Sequence, residues 1–137
     1  MNKKSIIIFI TFLALIFNPL YMGASVQSED VAKEINEAIR TGNARDVAKH
    51  FGSTVDLKLP GNEGTYSRNQ AELILRNFFS RNPVASFSVH HQRPQRDGSV
   101  YVIGTYAAKD GKSYRMYFLL KKISDNMVLH LLQMEEQ

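Results

Sequence analysis

Acid–base or ligand chemistry in this 137-residue chain must come from His50, His90, His91 and His130, from tyrosine hydroxyls and from carboxylates, because cysteine is absent. The missing thiols also exclude a disulfide framework, a thiolate metal site and lipid attachment at a cysteine. Between Val84 and Met134 the only acids are Asp97, Asp110 and Asp125, each in a turn between runs of β-branched, aromatic and aliphatic residues. A sheet with acids only at its turns offers no carboxylate from its faces for general acid or base work. No serine can be given both a base and an orienting acid. Gly61, Gly64, Gly98 and Gly111 read as turn glycines, not as a phosphate-binding loop. His90 and His91 are neighbours on a strand and point to opposite faces, so they cannot share a metal ion. Neither metal nor cofactor is expected.

The surrounding residues lay out the elements that position these groups. Ser28 caps a first helix that has Glu29 and Asp30 in its first turn, repeats Val31, Ile35, Ala38 and Ile39 at helical spacing, and ends at Gly42. Asn43, with Asp46 three residues on, caps a short second helix whose stripe is Ala44, Val47, Ala48 and Phe51, before Gly52. Thr54 to Leu59 alternates as a half-buried strand, with Asp56 and Lys58 opposite Val55, Leu57 and Leu59. That parity makes Asp56 a surface acid. Pro60 to Gly64 reads as a loop. Ser67 and Gln70 form a capping box before Ala71, Ile74, Leu75, Phe78 and Phe79, and the third helix stops at Asn82-Pro83. Four strands follow: Val84 to Arg93, Ser99 to Ala108, Lys112 to Lys122 and Met127 to Glu135.

Register assigns the faces. A two-residue turn at Asp110-Gly111 pairs Ala107 with Tyr114, Thr105 with Met116, Ile103 with Phe118 and Tyr101 with Leu120, and makes that face the core. Extending it to the preceding strand requires Phe87, Val89 and His91 there, hence a three-residue loop or a bulge at Asp97-Gly98. His91, Tyr101, Tyr114 and Met116 then face Phe79 of the third helix around a pocket, with His91 and the two tyrosines as its polar handles. His130 is a further candidate. Its face stays open, because Leu129 and Leu131 lie on one side of the last strand and Val128, Leu132 and Met134 on the other. The second face carries Tyr106, Tyr117 and Leu119 beside Arg115, an apolar patch too large for a comfortable solvent surface and so a candidate interface.

The N-terminus reads as a secretory leader over residues 1–25: Lys3 and Lys4, an apolar run from Ile6 to Phe17, a break at Asn18-Pro19, and small residues before a cut after Ser25. The run is well short of the roughly 20 residues of a spanning helix, so no membrane span is expected after cleavage. Residues 26–137 have the size of one domain. Two of the 17 lysines and arginines that face 13 acids lie in the leader, so the mature chain is only mildly basic and nucleic acid is not an expected partner. Seven of the cations, Arg93, Arg96, Lys109, Lys112, Arg115, Lys121 and Lys122, fall between Val84 and Met134. They suit an anionic glycan, lipid head group or acidic partner, or they simply guard strand edges.

The order helix, helix, strand, helix and four strands, from Glu34 to Met134, resembles the nuclear transport factor 2-like superfamily. The stretch Val55 to Phe79, with its Leu-Pro-Gly and Tyr-Ser-Arg-Asn-Gln-Ala-Glu segments, and the segment Gly111-Lys112-Ser113-Tyr114-Arg115 resemble a bacterial secreted family, domain of unknown function 4783. The resemblance implies an α+β fold: three N-terminal helices on a strongly curved, mainly antiparallel sheet, a cone with a cavity between the third helix and the concave face. It also implies dimerisation in many members through the outer face. Catalytic members of the superfamily aim an aspartate into the cone, and the four long strands here lack one. The expectation is therefore a secreted or periplasmic, non-catalytic domain that binds a small, largely apolar ligand in the cone. The alternative is an interaction module or homodimer through the outer sheet face. An isomerase or dehydratase is a third reading and would have to bring His91 and Asp56 into one cleft.

Overall fold

The computed structural model describes residues 23–137, with side-chain surroundings from Gln27 onward. Residues 1–22 of the expected leader lie outside them, as do the side chains flanking the expected cut after Ser25. No described helix is long and apolar enough to cross a membrane.

Helix α1 spans Gly23–Arg40 and runs straight through Ser28, which is therefore not its cap. Ser28 is buried on the stripe that continues through Ala32, Ile35 and Ile39, so packing against the core overrides its capping preference. Helix α2, Ala44–Ala48, is capped as expected: the Asn43 side chain accepts from the Asp46 backbone N–H at 3.0 Å and donates to the Asp46 carboxylate at 2.8 Å. Phe51 does not extend its stripe. It opens β1, Phe51–Leu59, with its ring buried in the core.

The expected loop after Leu59 is a hairpin instead. Pro60-Gly61 turns the chain and Asn62–Ser67 forms β2, pairing Leu59 with Asn62 through to Thr54 with Ser67. Every β2 residue but the half-buried Tyr66 is exposed, so no alternation of apolar residues betrayed this strand. Helix α3, Arg68–Arg81, carries the full capping box between Ser67 and Gln70 and buries Ala71, Leu75, Phe78 and Phe79.

Strands β3 (Val84–Pro94), β4 (Val100–Ala108), β5 (Ser113–Ile123) and β6 (Asn126–Glu136) complete a curved, mixed six-stranded sheet in the order β2-β1-β6-β5-β4-β3. Only the β1–β6 pairing is parallel. The helices cover one face, where α3 packs on β1 and β2 while α1 meets β3 and β6.

Register departs from expectation on β4. The connection to β5 is a three-residue loop, Lys109 to Gly111, closed by the Ala108 N–H donating to the Lys112 carbonyl oxygen at 2.9 Å. Gly111 takes φ +92°, the left-handed conformation that ends such loops with a bulge. The extra residue shifts β4 by one position: Tyr114 faces Tyr106, Met116 faces Gly104, Phe118 faces Val102 and Leu120 faces Val100. The core face of β5 is as expected, while that of β4 is inverted. Tyr106 is thus core and Tyr101 lies outside. The β3–β4 connection does have the expected three-residue loop, Arg96 to Gly98, closed between Gln95 and Ser99 at 2.7 Å.

Two bulges settle the remaining faces. The β3–β4 register slips between Val89 and His91, so His91 stands opposite Ile103 on the outer face rather than in the core. On β6 the slip falls at His130, between Leu119 facing Leu131 and Leu120 facing Leu129. It lets Leu129, Leu132 and Met134 all enter the core despite their mixed parity.

Candidate functional site

The inner face is filled by aromatic rings. Phe79 stacks on Tyr106 at 5.9 Å between centroids, and Phe78 packs edge-on against Tyr114 at 5.2 Å. Met116, Phe118 and Phe79 are all buried. The two inner tyrosine hydroxyls are committed to the end of α3: Tyr106 donates to the Asn82 carbonyl oxygen at 2.5 Å, Tyr114 to Asn82 Oδ1 at 2.9 Å. Burial pushes both hydroxyls above the usual tyrosine range. Of the six pocket candidates, Phe79, Tyr114 and Met116 are therefore core residues, whereas His91, Tyr101 and His130 sit on the opposite side of the sheet.

The outer face gathers the functional groups that remain. Register aligns Thr105 with Arg115 and Glu135, Ile103 with Tyr117 and Gln133, and Tyr101 with Leu119 and Leu131, in three rows across β4, β5 and β6. Tyr101 is 37% exposed, and its ring lies 5.5 Å from that of Tyr117 at a tilt of 37°. Desolvation beside Tyr101, whose hydroxyl adds to the effect, pushes the Tyr117 hydroxyl up to about 12. Arg115, Tyr117, Gln133 and Glu135 border a shallow hollow of about 360 Å³. Gln133 Nε2 donates to Glu135 Oε1 at 2.5 Å, while Arg115 has no ion pair among the described residues. Of the four interface candidates, Tyr117, Leu119 and Arg115 belong to this face and Tyr106 does not, because of the three-residue loop at Gly111.

Histidine chemistry does not converge in a cleft. His90 Nε2 meets Thr105 Oγ1 at 2.8 Å. Asp56 and His91 lie on β1 and β3, four strand spacings apart, on the order of 19 Å. Asp56 instead accepts from Thr65 Oγ1 at 2.5 Å and has His130 Nε2 at 3.9 Å, on the half-exposed surface of β1 and β6. A groove between α1 and α2, about 610 Å³ and bordered by Lys33, Glu34, Glu37, Asp46, Lys49 and His50, was missed from the sequence, where its charged residues look like ordinary solvated helix surface. Within it His50 Nε2 lies 3.2 Å from Glu34, and burial lowers the His50 pKa although Glu34 opposes the shift.

A family model, Domain of unknown function (DUF4783), matches residues 32–135. The chain belongs to the domain of unknown function 4783 family. Two solved structures of this family are similar over the whole fold. The protein from Bacteroides uniformis shares 28% identity and a TM-score of 0.71, over 77% of this chain and 95% of its own. The one from Bacteroides ovatus shares 27% identity and a TM-score of 0.70, over 76% and 93%. A nuclear transport factor 2-like protein of unknown function from Shewanella baltica, 13% identical, matches with a TM-score of 0.60 over 85% of this chain and 96% of its own. The fold of this DUF4783 member is thus nuclear transport factor 2-like, as the order of its elements implied. No curated protein matches it.

Proposed function

We propose that this protein is a secreted or periplasmic, non-catalytic interaction domain that pairs with a second copy of itself through the outer sheet face. The observation that carries the reading is the three-row patch on that face. Tyr101, Ile103, Tyr117, Leu119 and Leu131 supply a central apolar and aromatic area, and Arg115 and Glu135 supply opposite charges at its margin. A two-fold contact is self-complementary, so the unpaired Arg115 of one copy meets Glu135 of the other without a different partner surface. Tyrosine and arginine are also the residue types that dominate interface energetics. Sedimentation velocity over a concentration series tests this. Tyr117→Asp is expected to weaken self-association by on the order of 30-fold. A wild-type chain that stays monomeric at millimolar concentration overturns the reading.

A second reading keeps the small apolar ligand but moves it from the centre of the inner face to its rim. A crevice of about 90 Å³ opens between α3 and the β1–β2 hairpin, with Leu59, Ile74 and Phe78 as its apolar lining and Asn77 and Arg81 at its mouth. Native mass spectrometry after incubation with short-chain fatty acids tests it, with Phe78→Trp expected to abolish any retained ligand.

A further inference from the structure

Two turns stand side by side at one end of the sheet. The β3–β4 loop folds its own acid inward: Asp97 Oδ1 accepts from the Ser99 N–H at 2.9 Å and from the Ser99 hydroxyl at 2.6 Å. The β5–β6 connection is a two-residue turn, Ser124-Asp125, in which both residues take left-handed angles of φ 48° and 64°. A Cβ built on Gly98 would lie 4.0 Å from the Lys122 side chain, so the two tips touch.

The cations at this end are Arg93, Arg96, Lys121 and Lys122. None of the four has an ion pair within 4.0 Å or a side-chain hydrogen bond among the described residues, a state they share with Lys33, Arg45, Arg81, Lys109 and Arg115 but here gathered on two touching turns. The acids on the two turns are Asp97, whose carboxylate the Ser99 hydroxyl and N–H hold in its charged form with Lys121 nearby, and Asp125, so four cations stand against two acids at this end. Between Lys122 and the turn, Ile123 is 50% exposed, one of the large apolar side chains that the fold leaves in solvent.

The geometry points to this end as a docking surface for an anionic lipid leaflet, with the four cations over the head groups and Ile123 entering the interface. A flat array of negative charge suits cations carried on two adjoining turn tips. An apolar side chain at the protruding turn, flanked by lysine stems that snorkel, adds the shallow insertion that a soluble polyanion would not use. The surface lies at the end of the strands and adjoins the outer-face patch, where Arg93 stands opposite Tyr101, but it does not depend on self-association.

The chain has no tryptophan, so Ile123→Trp creates a unique reporter at the tip. Protein as recovered from the producing cells, carrying this substitution, is titrated with vesicles of phosphatidylcholine alone or with a third of phosphatidylglycerol. The expected result is a blue shift and cosedimentation with the anionic vesicles only, about fivefold weaker for each charge lost in Lys121→Gln and Lys122→Gln. Lys109→Gln, on a turn at the opposite end, is expected to leave the partition unchanged. Absence of a blue shift at low salt, equal binding to neutral vesicles, or binding to heparin without binding to vesicles would each overturn the proposal.

Discussion

The Tyr114 hydroxyl donates to Asn82 Oδ1 across 2.9 Å and so fastens the start of β5 to the residue that ends α3. Asn82 is the pre-proline residue, held out of the helix by Pro83, and its carbonyl oxygen also takes the Tyr106 hydroxyl. Asn82→Ala keeps the Tyr106 bond but leaves the buried Tyr114 hydroxyl without its acceptor, which costs about 1–3 kcal/mol. Tyr114→Phe removes donor and demand together and is expected to cost less, about 1 kcal/mol. Urea denaturation of both variants checks the order.

Gly104 tests the inner packing by itself. Any Cβ there would run into the Ser88 carbonyl oxygen and approach the Phe87 ring edge to 2.9 Å, on a backbone that any residue can adopt. Gly104→Ala is therefore expected to destabilise by about 1–3 kcal/mol through overpacking between β3 and β4. Thermal unfolding measures it, and an unchanged midpoint would refute the close approach.

His50 makes stability depend on pH in a definite direction. Its folded-state pKa lies below the ordinary histidine value of 6.5 because burial penalises the charged ring more than Glu34 favours it. The unfolded state then binds more protons, so the contribution is complete above about 6.5 and is lost as pH falls through the lowered folded pKa. His50→Gln removes that slope, while Glu34→Gln steepens it by deleting the opposing charge. Denaturation midpoints between pH 4.5 and 8 separate the three proteins.

Tyr117 offers a spectroscopic check on the outer face. Its hydroxyl, pushed up to about 12 by desolvation and by Tyr101, returns toward 10.0 in Tyr101→Phe, where the burial contribution alone remains. Absorbance titration of the phenolate band, with Tyr117→Phe to assign the transition, gives the value directly.

Local signals carried much of this fold. The Asn43 cap, the Ser67–Gln70 capping box, the stop at Pro83 and the inner face of β5 follow from side-chain types a few residues apart, which act whatever the tertiary context. Asp-Gly serves two turn types, and at Asp110-Gly111 the glycine closes a three-residue loop instead of a two-residue one. That single residue moved Tyr101 out, brought Tyr106 in and exchanged a pocket candidate for an interface candidate. The one signal available was on β4 itself: both of its faces carry apolar residues, so alternation there could not arbitrate. His91 was lost to a bulge, which leaves no mark in composition. β2 escaped because a strand exposed on both faces has no periodicity to read.

The parallel pairing of β1 with β6 joins the first strand of the domain to its last. No intermediate length of chain can complete the sheet, since β1 lacks its inner neighbour until residues near the C-terminus arrive. Such high contact order slows folding and postpones it to the end of synthesis. If the leader read at residues 1–25 directs export, that delay has a use: the chain stays threadable until its final strand has crossed, and the free energy released by closing the sheet then opposes its return.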